Sequence, residues 1–254
     1  MSDPVPRRSP LHEVHAAAGA TFTDFAGWEM PVRYSGDLAE HAAVRAAAGL
    51  FDLSHMGEIL VVGPQAAEAL DAAVSGRMSA LAERQAKYTL LLSEDGGVLD
   101  DLIVYRTGPD RFLVVANAGN REVAAEELRR RTEGFDALVE DESDDIGLIA
   151  LQGPRALEIL QNLDGLQLSD DLLAGASVGG ALAALGYYRA VPGEYGGRRV
   201  LIARTGYTGE DGFELFTSPE ALRGLWEELL EMGRGAGLVR VGLAARDTLR
   251  LEAG

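Results

Sequence analysis

One pattern occurs twice in this chain. Gly57-Glu58-Ile59-Leu60-Val61-Val62 runs into Gly63-Pro64 and on to Ala66-Ala67-Glu68-Ala69-Leu70, and Gly147-Leu148-Ile149-Ala150-Leu151-Gln152 runs into Gly153-Pro154 and on to Ala156-Leu157-Glu158-Ile159-Leu160. Each copy reads as an apolar strand, a turn and a helix, and the two Gly-Pro pairs stand 90 residues apart. Proline costs a helix nothing at its first position, where the missing N–H would lack a partner anyway, so each pair is expected to open its helix there. An internal replay restricts a chain to like units built around like strands. The expected fold class is therefore α+β, with two tandem, pseudo-repeated antiparallel α/β subdomains at 11–139 and 146–254 after a flexible N-terminus at 1–10.

Hydrophobic periodicity supplies the remaining elements. Helices are expected at 11–18, at 35–48 with Gly49 as its C-terminal stop, and at 120–131 with Val123, Leu128 and alanines turned inward. Strands are expected at 21–25, 88–92, 99–106 and 111–116, the last three joined as hairpins. The second half adds strands at 186–190, 199–204 and 213–217, a helix at 219–232, and an amphipathic helix after Gly242 with Leu243 and Leu249 inward. The acidic run at 140–145 reads as a solvated connector.

Composition excludes several chemistries. The chain of 254 residues carries 40 acids against 23 bases, a formal charge of -17. That balance argues against nucleic acid or an anionic membrane as the main partner. With no cysteine there is no disulfide, no thiolate nucleophile and no cysteine-ligated metal. Lys87 is the one lysine, so nearly every cation is a guanidinium. No apolar run approaches a membrane span, and the N-terminus lacks a signal-peptide core, so a cytoplasmic protein is expected.

Chemistry is expected first in Gly96-Gly97-Val98-Leu99-Asp100-Asp101-Leu102-Ile103-Val104. A strand alternates its faces, so Leu99, Asp101 and Ile103 share one side, and Asp100, Leu102 and Val104 the other. Whichever side turns inward carries a carboxylate into the core, where it needs a partner or a ligand. Read from the residues alone, Asp101 is first of all a hairpin acid bonded to nearby backbone amides. A second candidate is Arg204-Thr205-Gly206-Tyr207-Thr208-Gly209-Glu210-Asp211-Gly212-Phe213-Glu214, a glycine-rich loop without the pattern of a phosphate or dinucleotide site. Glu214, between Phe213 and Leu215, could accept two parallel N–H bonds from a flat heterocycle, or pair with a charge of the fold. Arg246 alone would read as a surface residue. His55 fits no metal-ligand spacing with His12, His15 or His41 and reads as a satisfied structural residue.

These segments gain meaning in their order. Phe25-Ala26-Gly27-Trp28, Met30-Pro31-Val32, Leu50-Phe51-Asp52-Leu53-Ser54-His55-Met56, the Gly-Gly-x-x-Asp-Asp strand, Asn117-Ala118-Gly119, Leu151-Gln152-Gly153-Pro154, Gly206-Tyr207-Thr208-Gly209-Glu210-Asp211-Gly212 and the stretch from Gly242 to Gly254 together resemble the T-protein of the glycine cleavage system, the tetrahydrofolate-dependent aminomethyltransferase. The resemblance covers the chain from about Leu11 onward. It implies a folate-binding domain that moves the methylene group of an aminomethyl-lipoyl arm on a partner H-protein to tetrahydrofolate. Ammonia and 5,10-methylenetetrahydrofolate are released. It further implies that Asp101 is catalytic, with Asp100 facing away. Met56, Tyr88, Asn117, Tyr207, Glu214 and Arg246 are implied to contact folate, with tetrahydrofolate as co-substrate and no metal. Family members continue for about another hundred residues, a small domain's worth, as a β-barrel; the resemblance implies that this chain lacks that domain. Two further readings stay open: a folate-dependent demethylation module of the dimethylglycine or sarcosine dehydrogenase type, and a non-catalytic folate-binding remnant. Relatives that serve iron–sulfur proteins use a cysteine-containing motif, which this chain does not have.

Overall fold

A computed structural model of the chain describes residues 5–254. The fold is mixed α+β, and the described residues form three sheets. Contacts divide them into two compact units. One holds the residues up to His55 with Gly147–Tyr187 and Pro192–Gly254; the other holds Met56–Ile146 with Tyr188–Val191. This grouping departs from the expected tandem division at 139 and 146. The strand Ala48–Asp52 lies antiparallel to Gly147–Gln152, from Gln152 opposite Gly49 to Ile149 opposite Asp52. Strand Ala48–Asp52, from the expected first subdomain, thereby joins the sheet of the second half. Strand pairing is non-local, and a local hydrophobic pattern does not name the partner strand.

The first unit is built on a seven-stranded sheet in the order Leu166–Leu168, Arg189–Tyr195, Arg198–Arg204, Gly212–Thr217, Gly147–Gln152, Ala48–Asp52, Leu238–Arg240. Helix Pro219–Gly233 supplies Leu222, Leu225, Trp226 and Leu229, all buried. Burial of each such side chain stabilises by roughly 1.5–3 kcal/mol. A small sheet of Arg7–Arg8, Trp28–Arg33 and Thr21–Phe25 completes it. The expected flexible N-terminus is thus, from Arg7, part of the fold: Arg7 and Arg8 pair with Trp28 and Glu29, and Ser9 is buried. Residues 1–4 lie outside the described residues.

Ser9 is held by a charge. Its hydroxyl donates to Asp52 at 2.5 Å, the His15 ring bonds the same carboxylate at 2.9 Å, and the Ser54 amide donates to the other oxygen at 2.9 Å. Burial by itself would raise Asp52, but these bonds and the His15 ring hold it below the usual carboxylate range. Tyr34 bonds the second nitrogen of His15 at 2.9 Å.

The second unit is an antiparallel five-stranded sheet, Ala86–Leu92, Val98–Gly108, Arg111–Ala116, Gly57–Val62, Leu138–Asp141. One face is packed by helices Ala66–Ala73 and Arg121–Arg131 around Ile59, Val61, Leu91, Leu102, Val104, Phe112 and Val114. Helix Arg121–Arg131 buries Arg121, Ala124, Ala125 and Leu128, whereas Val123, expected inward, is exposed. The acidic run is no simple connector either. Glu140 and Asp141 lie in the edge strand, and Arg121 binds Asp141 at 3.3 Å and Asp144 at 3.0 Å.

The replayed pattern is real in each unit, with one correction. The helices begin at Ala66 and Ala156, so Pro64 and Pro154 lie in the preceding turns, two residues short of the first helical position. Glycine is required there for a different reason. Gly63 and Gly153 sit at φ +139° and +137°, and a Cβ on either would lie 2.4 Å from the Asp136 carbonyl or 2.5 Å from that of Ala47. Gly49 likewise ends no helix; it lies within Ala48–Asp52, where Val44 and Val241 leave no room for a side chain. Among the described residues no helix is long and apolar enough to cross a membrane.

Gly153→Ala is expected to cost about 3 kcal/mol or more, because backbone must move as well as strain. Gly96→Ala, at φ +86° with nothing within 4 Å, should cost only the left-handed penalty of about 1–2 kcal/mol. Urea unfolding of the two variants checks this ordering.

Candidate functional site

The strand Val98–Gly108 separates its two adjacent acids as alternation requires. Asp100 is 3% exposed and shares the helix-packed face with Leu102 and Val104; Asp101 is exposed on the other face. A buried carboxylate needs donors, and Asp100 has three. The Asn117 backbone amide donates to it at 3.0 Å, the Asn117 side chain at 2.9 Å and the Asn120 side chain at 2.8 Å. Asn117 comes from the turn that follows strand Arg111–Ala116, and Asn120 stands just before helix Arg121–Arg131.

The same amide ties the second acid. Asn117 Nδ2 lies 2.9 Å from Asp101 Oδ1 and 3.1 Å from the Asp101 carbonyl. Tyr88 reaches Asp101 from the neighbouring strand, where Tyr88 pairs with Ile103 and Leu90 with Asp101. Partial burial raises the Tyr88 phenol, and the charge and hydrogen bond of Asp101 raise it further, so the hydroxyl stays a donor. Tyr88, Asp101 and Asn117 are thus brought together, leaving a solvent-facing carboxylate oriented by two donors. Met56 is half-buried just before the strand Gly57–Val62.

In the other unit, Tyr207, Glu214 and Arg246 line one small concavity together with Phe51, Leu53, Ala150, Gln152, Gly206 and Thr208. Glu214 lies at the centre of the seven-stranded sheet, 8% exposed, opposite Ala150 on one neighbour and Ala203 on the other. Two alanines beside a carboxylate leave room around it, and Thr205 donates its hydroxyl to Glu214. Gln152 braces the loop: its amide donates to the Thr205 carbonyl at 3.0 Å, and its oxygen accepts from Thr208 at 2.9 Å. The Arg246 guanidinium lies 4.5 Å over the Tyr207 ring, a cation–π arrangement. Burial raises the Tyr207 phenol, Arg246 opposes this and Glu214 adds to it.

His55 corrects the expectation of a satisfied structural residue. It is fully buried, its ring meets Phe25 edge-on at 5.4 Å, and neither ring nitrogen has a hydrogen-bond partner. Burial first, and the Arg246 charge second, lower its pKa to about 3, with Asp52 opposing. Sequence reasoning also passed over Thr205, Gln152 and Asn120. A glutamine closing the apolar run Leu148-Ile149-Ala150-Leu151 and a second asparagine three residues after Asn117 were the available signals.

The profile of the GCVT N-terminal domain family matches residues 11–254, and the chain belongs to that family. An aminomethyltransferase of Saccharopolyspora erythraea is 55% identical over 249 residues, covering 98% of this chain and 64% of the relative. One of Streptomyces coelicolor is 51% identical over 254 residues, covering 100% and 64%. The glycine cleavage system aminomethyltransferase T of Bartonella henselae has a similar structure, with a TM-score of 0.84 at 42% identity over 98% of this chain and 63% of its own. Heterotetrameric sarcosine oxidase from Corynebacterium sp. U-96, at 18% identity and a TM-score of 0.56, shares the fold over 92% of this chain and 98% of its own. The chain thus spans a little under two thirds of the aminomethyltransferases it matches.

Two measurements follow. Asn117→Ala removes one of the three donors to Asp100 together with the side-chain bonds to Asp101, leaving the Asn117 backbone amide and Asn120 in place, and should destabilise by about 1–3 kcal/mol in chemical unfolding. His55 has a folded pKa near 3 against about 6.5 unfolded, so the unfolded state binds the extra proton between these values. Its contribution is complete above pH 6.5 and declines as pH falls toward 3, by about 2 kcal/mol from pH 7 to pH 5. His55→Asn should flatten the slope of stability against pH in that window.

Proposed function

We propose that this chain carries the folate chemistry of an aminomethyltransferase of the glycine cleavage type. The substrate is an aminomethyl group held through sulfur on the lipoyl arm of an H-protein, and the acceptor is tetrahydrofolate. The C–S and C–NH2 bonds to the transferred carbon break as two folate nitrogens bond to it. Those nitrogens give up two protons, one to the lipoyl thiolate and one to the departing amine, which leaves as ammonia.

The observation that carries this reading is the split of Asp100 from Asp101. Asp100 has its donors inside the fold, and Asp101 is turned outward between Tyr88 and Asn117. A carboxylate held in this way can orient a folate nitrogen, take its proton and steady the iminium-like charge on the methylene carbon. Glu214 is assigned to the N–H edge of the pterin, since a buried carboxylate matches two parallel donors. Arg246 and Tyr207 offer a cation and an aromatic face to folate, and Met56 an adaptable apolar contact. The aminomethyltransferases to which the chain is 51–55% identical support the assignment.

Asp101→Asn should lower ammonia release from aminomethyl-loaded H-protein by about 10²–10⁴-fold, the usual worth of a positioned proton acceptor, with calorimetric tetrahydrofolate affinity kept. Near-normal turnover would remove Asp101 from the reaction. Glu214→Ala should abolish tetrahydrofolate binding to this chain, and undiminished binding would reject the pterin assignment.

A further inference from the structure

Tyr207 and Thr208 stand between two glycines with positive φ, Gly206 at +153° and Gly209 at +82°. Such a loop has little stiffness of its own, so its position depends on what holds it from outside. Two ties come from its own unit's sheet and neighbouring loop: Thr208 to Gln152, and the Tyr187 hydroxyl to the Gly206 carbonyl at 2.7 Å. The third is a residue remote in sequence. Arg45, in the last turn of helix Asp37–Ala46, donates from Nη1 to the Thr208 carbonyl at 2.5 Å and to Glu210 at 3.1 Å.

The same guanidinium grips a second element. Its Nε donates to Glu252 at 2.9 Å and its Nη2 to the Leu249 carbonyl at 3.3 Å, both in helix Leu243–Ala253, which carries Arg246. One turn earlier, His41 bonds Thr248 at 2.9 Å and Glu252 at 3.0 Å. Arg45 therefore fastens to each other the loop that bears Tyr207 and the helix that bears Arg246, whose guanidinium lies 4.5 Å over the Tyr207 ring. The planar fork of arginine suits this task, because its donors point in fixed, divergent directions toward four acceptors on two segments. Lysine would supply the charge without the fork. Only about a fifth of the side chain is exposed.

We propose that Arg45 is a positioning residue for folate binding: it sets the Tyr207–Arg246 pair without touching the ligand. The proposal rests on the folate reading of that pair. Arg45→Met keeps the packing of the aliphatic stem, and Arg45→Lys keeps the charge. In the 254-residue chain, both should speed amide hydrogen exchange in residues 205–211, a local opening rather than global unfolding. Both should weaken tetrahydrofolate binding by calorimetry about 10- to 100-fold, the scale of a small displacement of contact groups. A role exercised through Tyr207 predicts non-additivity: on a Tyr207→Ala background, Arg45→Met should cost less than about twofold more.

Unchanged affinity in both single variants despite a loosened loop would make Arg45 merely structural, and a fully additive loss would overturn its action through Tyr207. Unchanged exchange in 205–211 would overturn the clamp whatever folate does. If the unsubstituted chain binds no tetrahydrofolate while Arg45→Met still loosens the loop, the folate reading fails and the clamp stands.

Discussion

The antiparallel pairing of Ala48–Asp52 with Gly147–Gln152 is the constraint on which the first unit depends. It needs two glycines, Gly49 between Val44 and Val241 and Gly153 against the carbonyl of Ala47. It delivers Asp52 to His15 and Ser9, and so ties down the N-terminal segment. It also fixes the helix Asp37–Ala46, which enters that strand, and with it Arg45. On the other side of Gly147–Gln152 lies Gly212–Thr217 with Glu214. The concavity lined by Glu214, Tyr207 and Arg246 is therefore set by strand order as much as by the loop that borders it.

In the second unit the organising interaction is electrostatic. A buried carboxylate is tolerable only when its donors are already in place, and Asp100 has them from Asn117 and Asn120. Those asparagines lie in the passage from strand Arg111–Ala116 to helix Arg121–Arg131, so Asp100 joins three elements. Once Asp100 is committed inward, the period of the strand leaves Asp101 no choice but the opposite face. Asn117 contacts both acids, which couples the structural carboxylate to the outward one.

Arginine is the recurrent fastener. Arg121 closes the acidic edge strand, Arg204 binds Asp211 and three carbonyls ahead of the glycine-rich loop, and Arg45 joins that loop to the C-terminal helix. A chain with one lysine and a charge of -17 draws its cations almost wholly from a side chain with a rigid, multidentate head. Asp141, which sequence alone places in a solvated connector, is a partner of one of these arginines, and Glu210 and Asp211 are partners of two others.

Local pattern determined a good deal of this protein. Alternation in Val98–Gly108 separated the two acids, the Gly-Pro replay located two equivalent turns, and the strands at 21–25, 57–62 and 111–116 fall where their apolar periods place them. Alternation could not say which acid turns inward, because that depends on which sheet face the helices cover. Nor could it show that Gly49 sits inside a strand, that Val123 is exposed, or that the strand at 48–52 joins the second-half sheet, since each follows from a partner distant in sequence. The partners of Arg45, Gln152 and Asn120 were illegible for the same reason. A side chain's donors carry no address in the sequence; only the tertiary structure decides which carbonyl or carboxylate lies within 3 Å of them.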